Sequence, residues 1–182
     1  MKIKRLKELI QLAISHKNKD DYYESWYSPY YRLMYLCAKE LRGVCVELGV
    51  HNGRGSYSML KAGRKVIGID THRHSAIAKL ETNKKFTFLE QSSIPRPELK
   101  KNSISILHID TEHSYGQAEN EFNEYKPFLK NGAIVLFDDT HAMNDGVLDF
   151  FNSLPYEKIA DDRLHPNCGY GVLIYRHERE TN

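Results

Sequence analysis

A chain of 182 residues with 41% hydrophobic and 27% charged side chains has apolar material for one real core, which excludes a disordered or fibrous protein. The net charge of +2 gives no electrostatic ground for a nucleic-acid partner, and the basic start of Lys2, Lys4, Arg5 and Lys7 reads as a solvated helix face. No apolar run approaches a membrane span and the first residues lack a signal-peptide core, so neither membrane nor export is expected; Cys37, Cys45 and Cys168, without CxxC spacing, suit inert thiols in a reducing cytoplasm.

Along the chain, Ile3, Leu6, Ile10 and Ala13 recur at helical spacing and predict an amphipathic helix over 3–14. Residues 20–32 are dense in aromatics around Ser28 and Pro29. They could line a substrate pocket, cover one end of the core or bury themselves against a second copy, so a homo-oligomer stays open. A second helix over 31–41 stops before Gly43, which makes 1–42 a helical cap on a main domain of 43–182. Val44 to Leu48 reads as a buried strand, Gly49, Gly53 and Gly55 as a tight turn, and Ser56 to Leu60 as the start of a helix. The spacing fits neither a P-loop, since no Lys follows, nor the dinucleotide fingerprint, since His51 and Arg54 stand where glycines belong. The next strand, from Lys65 to Ile69, ends at Asp70, where a carboxylate can accept hydrogen bonds from a ribose diol. A third strand over 86–90 is followed by Gln91 and Ser92.

The apolar run Ile104 to Ile109 ends at Asp110. Ser114 and Gln117 read as a capping box, and Tyr115, Ala118, Phe122, Tyr125 and Leu129 share a helical face that Asn131-Gly132 is expected to stop. A second apolar strand over 133–137 runs into Asp138 and Asp139. The right-handed crossover makes these two strands parallel, so Asp110, Asp138 and Asp139 should meet on one edge, where open α/β sheets bind their ligands. Three carboxylates there would repel one another unless a cation neutralised them. Hard oxygen donors favour Mg²⁺, with Mn²⁺ or Ca²⁺ as alternatives. The competing reading is that Asp139 or Thr140 caps a helix over 142–152. His113 and His141 flank the acids and are rival candidates for general base. Strands over 156–160 and 170–175 close the chain as an antiparallel hairpin. The expected fold class is therefore α/β, a Rossmann-like three-layer sandwich on a mostly parallel seven-stranded sheet.

The turn E-x-G-x-x-x-G, the acidic end of the next strand, and the later I-D-x-x-H-x-Y and D-D-T resemble the class I S-adenosylmethionine-dependent methyltransferases. Within them the chain, from about Arg42 to Arg176, is similar to the metal-dependent sugar and natural-product O-methyltransferases of the macrocin and rhamnosyl type. The resemblance implies that Glu47, Gly49 and Gly53 hold the methionine part of S-adenosyl-L-methionine and that Asp70 holds its ribose. Ser56, Ser92 and Asp110 are grouped with the cofactor residues, Ser92 toward adenine. It further implies Asp110, Asp138 and Asp139 as ligands of Mg²⁺ (or Mn²⁺), His113 as base, and a small-molecule or sugar hydroxyl as acceptor. Two other readings stay open: a non-haem iron oxygenase with His113, His141 and Asp110 as its triad, and a cofactor-binding module without catalysis.

Overall fold

Runs of apolar and β-branched residues at 44–48, 65–70, 104–109 and 129–138 have no polar face to offer water, and the chain lays them side by side in a sheet covered on both sides. The computed structural model describes residues 1–15, 28–141 and 146–177. Helices α1 (Ile3–Ser15) and α2 (Pro29–Glu40) lead into β1 (Val44–Leu48), α3 (Arg54–Lys61), β2 (Lys65–Asp70), the single turn α4 (Ile77–Leu80) and β3 (Phe86–Glu90). The second half runs β4 (Ile104–Ile109), α5 (Tyr115–Tyr125), β5 (Leu129–Asp138), α6 (Gly146–Ser153), β6 (Glu157–Ala160) and β7 (Tyr170–Ile174). The strand order is β3-β2-β1-β4-β5-β7-β6, parallel from β3 to β5, with β7 antiparallel to both of its neighbours. This is the mostly parallel seven-stranded sheet with a terminal hairpin that the sequence implies. The order reverses between β1 and β4, which opens a crevice at their carboxyl ends.

Alternation along each strand sends its side chains to two separate cores. On one face Cys45, Val66 and Ile106 pack with Leu6, Leu33 and Met59 from the first three helices. On the other, Val46, Leu107 and Val135 pack with Phe122 and Phe150 from α5 and α6. The helices of segment 1–42 thus supply one layer of the sandwich and share its core. Residues 20–27 of the aromatic segment and the first part of the helix expected over 142–152 lie outside the described residues.

Three local expectations are corrected. The helix that begins at Tyr115 ends at Tyr125, gives one 3₁₀ turn over Lys126–Phe128, and becomes strand already at Leu129. Pro127 is the cause, since it lacks an N–H and its ring obstructs the preceding turn. Asn131-Gly132 instead forms an irregularity inside β5, where Gly132 has φ +83° and donates its N–H to the Tyr175 carbonyl at 2.8 Å. Tyr115 is exposed, because the buried stripe of α5 starts at Ala118. The capping box is half formed: Ser114 Oγ accepts the Gln117 N–H at 3.3 Å, but the Gln117 side chain turns to Glu121.

Candidate active site

The turn after β1 is shaped by what its glycines leave room for. Gly49, at φ +79°, donates its N–H to the Ile69 carbonyl, and a Cβ there would stand 1.7 Å from the Asp110 carbonyl oxygen. Only glycine permits that approach of the ends of β1 and β4. Gly53 closes the turn against Leu80 of α4 and stands back from the cavity. Gly55 has ordinary helical backbone, yet a Cβ on it would lie 1.9 Å from Glu47 Oε1. It makes space for the Glu47 carboxylate, which is buried at the end of β1. Ser56 Oγ donates to Glu47 Oε2, and His108 Nδ1 lies 3.2 Å from Oε1. Ser56 and His108 therefore stand behind Glu47 and fix its orientation.

A cavity of about 780 Å³ opens at the carboxyl ends of the parallel strands. Glu47, Gly49 and Asp70 line one part, Ser92 and Ser93 another, and Asp110 with His113 the far end. Asp70 accepts the His51 N–H on Oδ2 (2.8 Å) and the His72 N–H on Oδ1 (2.9 Å), which fixes the carboxylate while each oxygen keeps capacity for a second donor. Tyr31, from the aromatic segment, and His74 also reach the cavity. Beneath it sits Glu121 of α5, fully buried, accepting hydrogen bonds from Ser93 Oγ, Gln117 Nε2 and Thr111 Oγ1 at 2.5–2.9 Å. Tyr125 donates to the Ser93 carbonyl at 2.9 Å. This knot ties the loops after β3 and β4 to one helix. Burial raises the Glu121 carboxyl above its ordinary range, although all three donors pull the other way.

The acids at the far end each meet an imidazole. The chain leaves β5 after Asp138, with Asp139 at φ +53°, and the two carboxylates diverge. Asp138 Oδ1 lies 2.7 Å from His165 Nδ1. His113 stands between the other two, with Nδ1 2.7 Å from Asp139 Oδ2 and Nε2 3.6 Å from Asp110 Oδ1. Hydrogen bonding to Asp110 and to Asp139 pushes His113 up to about 10, against its partial burial. Burial would raise Asp139, but the His113 contact outweighs it and holds the carboxyl below its ordinary value. Asp110 moves the other way, because its burial outweighs the pull of His113. His141 points elsewhere, its Nδ1 2.8 Å from Asp162 Oδ1, so a triad of His113, His141 and Asp110 is not assembled. Asp139 Oδ2 pairs with His113 and Thr140 Oγ1 is buried, while the N–H groups that either would cap lie outside the described residues.

The three aspartates offer oxygen donors suited to Mg²⁺, but as placed they do not converge. Among the described residues, the group that brings one donor atom each within 4.8 Å is Asp139, His165 and Cys168. The Cys168 thiol faces the Asp139 carboxylate and is pushed up to about 11 by burial and by that contact. His165 and Glu121 escaped the sequence reading, and Gly55 was read as part of the turn and not as the space for Glu47. An H-x-x-C spacing was the signal for His165, whereas Glu121 gave none, since Thr111 and Ser93 lie 10 and 28 residues away.

A doubly covered, mostly parallel sheet with this strand order and a cavity at its switch point defines the Rossmann-like methyltransferase fold. The family described as a methyltransferase domain matches residues 46–140, and the chain belongs to it. An uncharacterized protein, R132, of Acanthamoeba polyphaga mimivirus is 30% identical over 115 residues, 52% of this chain; the match spans about half the length of that curated relative. The O-methyltransferase TomG of Streptomyces achromogenes, solved in complex with SAM, superposes with a TM-score of 0.65 at 16% identity, covering 97% of this chain and 100% of TomG. CalS11, a TDP-rhamnose 3'-O-methyltransferase of calicheamicin biosynthesis, gives 0.60 at 14% identity over 94% and 93% of the two chains. No helix among the described residues is long and apolar enough to cross a membrane.

Proposed function

We propose that the protein transfers a methyl group from S-adenosyl-L-methionine to a hydroxyl of a small molecule or sugar, as an enzyme of the macrocin and rhamnosyl O-methyltransferase type. One observation carries the reading: a single cavity runs from Glu47, Gly49 and Asp70 to Asp110 and His113. Its first part suits the donor, with a buried carboxylate for the methionine ammonium and Asp70 for the ribose diol. Ser92 and the loop held by Glu121 lie where adenine would follow. TomG is described as bound to SAM and CalS11 as acting on a TDP-rhamnose, which supports the same donor and a sugar-like acceptor here.

Methyl transfer is an in-line displacement, in which the enzyme contributes chiefly by alignment of the two reactants. The rigid turn at Gly49 and the fixed Asp70 hold the donor, and the far end of the cavity receives the acceptor. His113 takes the hydroxyl proton once it has lost its own. While Asp110 and Asp139 hold it, its pKa is near 10 and the neutral form is scarce at pH 7, so without a metal the rate should climb with pH. Mg²⁺, when bound, would acidify the acceptor hydroxyl, and Asp110, Asp138 and Asp139 would hold it after releasing His113 and His165. Calorimetric titration with S-adenosylmethionine, with and without Mg²⁺, tests the proposal, followed by methyl transfer to sugar and phenol acceptors. A folded protein that binds the donor under neither condition would sink it, while tight binding with no turnover on any acceptor would favour a cofactor-binding module.

A further inference from the structure

We infer that Asp139, His165 and Cys168 form a site for a borderline divalent ion, Zn²⁺ foremost, which shares Asp139 with the aspartate trio and so excludes a hard cation there while it is filled. The inference does not rest on methyl transfer. Its basis is that a carboxylate oxygen, an imidazole nitrogen and a thiol sulfur lie within 4.8 Å of one another. A tetrahedral Zn²⁺ with bonds of about 2.0–2.3 Å needs donors only somewhat closer, roughly 3.3–3.8 Å apart. Sulfur and imidazole in one donor set select against Mg²⁺ and Ca²⁺.

The surroundings are built to hold these donors. Asp138, itself 7% exposed, fixes His165 through Nδ1 and leaves Nε2 for an ion, the carboxylate–histidine arrangement that usually backs a metal-bound imidazole. Tyr30 stacks on the same ring, with centroids 4.5 Å apart, and fixes its plane. Backbone bonds place Cys168: its N–H and that of Gly169 both go to the His165 carbonyl, and its own carbonyl accepts the His141 N–H at 2.7 Å. That last bond brings Cys168 beside the segment carrying Asp139. There Asp139 Oδ2 pairs with His113, and the Cys168 thiol is the other polar group facing the same carboxylate, so a cation would take the place of the thiol proton between sulfur and oxygen. Three protein donors leave a fourth position for water or an acceptor oxygen, the pattern of catalytic zinc rather than structural zinc. On binding, the Cys168 proton leaves to solvent as the sulfur–metal bond forms.

The test uses the full chain, stripped of metal and titrated with Co²⁺ and then with Zn²⁺ in competition. The expected result is a thiolate-to-cobalt charge-transfer band that equimolar Zn²⁺ abolishes and equimolar Mg²⁺ does not. Cys168→Ser should remove the band. Asp138→Asn should keep it but weaken binding by about 10–100-fold, as loss of a carboxylate behind a ligating histidine does. X-ray absorption of the zinc-loaded wild type, which needs no variant to fold, should show one sulfur near ~2.3 Å. A cobalt spectrum without the thiolate band, a band that survives in Cys168→Ser, or a zinc shell without sulfur would each overturn the site.

Discussion

Gly55→Ala is a one-carbon test of how the cofactor end is built. The added Cβ would stand 1.9 Å from Glu47 Oε1 and 2.9 Å from Glu47 Cδ, far inside the 3.4 Å at which ordinary contact begins. Since backbone at Gly55 is unstrained, the carboxylate must give way, and with it the bond from Ser56 Oγ and the contact with His108. Two effects on stability oppose each other. Overpacking a core costs ~1–3 kcal/mol, whereas replacing a helical glycine by alanine returns up to ~1 kcal/mol. The net loss of ~0–3 kcal/mol lowers Tm by no more than about 12 °C in a chain of this size. Binding has no such offset, because a displaced carboxylate loses a charge-assisted hydrogen bond to the donor worth ~1.5–3 kcal/mol. Calorimetry with S-adenosylhomocysteine should therefore show Kd rising about 10- to 150-fold in a variant that still melts cooperatively. Gly116→Ala in α5 is the control, since its Cβ would meet nothing within 4 Å, and it should leave Kd alone. If Gly55→Ala binds as the wild type does, Glu47 is not a donor contact.

Asp70→Ala should cost S-adenosylhomocysteine binding ~1.5–3 kcal/mol while Zn²⁺ or Co²⁺ binding persists; equal affinity in a folded variant would remove the ribose assignment. His113→Ala should slow turnover by roughly 10²–10⁴-fold and erase the rise in rate toward pH 10, and a rise that persists in the variant points to another base. The same group predicts a stability profile. Its pKa is raised on folding, so its contribution is full below about 6.5 and fades as pH climbs through 10; pH-dependent melting of Asp139→Asn should show that fall at lower pH. Glu121 is also raised, so its ionisation erodes stability as pH rises past the ordinary carboxylate range. Glu121→Gln should melt higher than the wild type at pH 8, whereas Glu121→Ala should lose ~1–3 kcal/mol by orphaning Ser93, Thr111 and Gln117; equal losses in both variants would contradict the account.

What the sequence revealed were features set by neighbours along the chain. The runs at 44–48 and 104–109 are buried strands because they are apolar on both faces, and Asp70, Asp110 and Asp138 sit at strand ends because the runs stop there. The parallel crossover then fixed which edge they share. Hidden were features set by partners brought in from afar. Glu121 reads as a solvated helix residue until Ser93 and Thr111 arrive from two other loops. Asp138 and Asp139 can face one ion only if the chain leaves the strand between them; it does so at Asp139, yet the imidazoles of His165 and His113 take the two carboxylates separately. Pro127 was legible and outweighed the helical period that seemed to run on to Leu129.

The close passage of Gly49 beneath the Asp110 carbonyl is a seam between two half-sites carried by different parts of the chain. On the proposed reading the donor contacts would sit on the β1, β2 and β3 side, and the imidazoles and carboxylates offered to an acceptor would come from β4, β5 and the β6–β7 connection. A relative's β6–β7 segment spliced into this chain would then import a new acceptor preference while the grip on the donor carries over, which makes the seam a natural joint for chimeras.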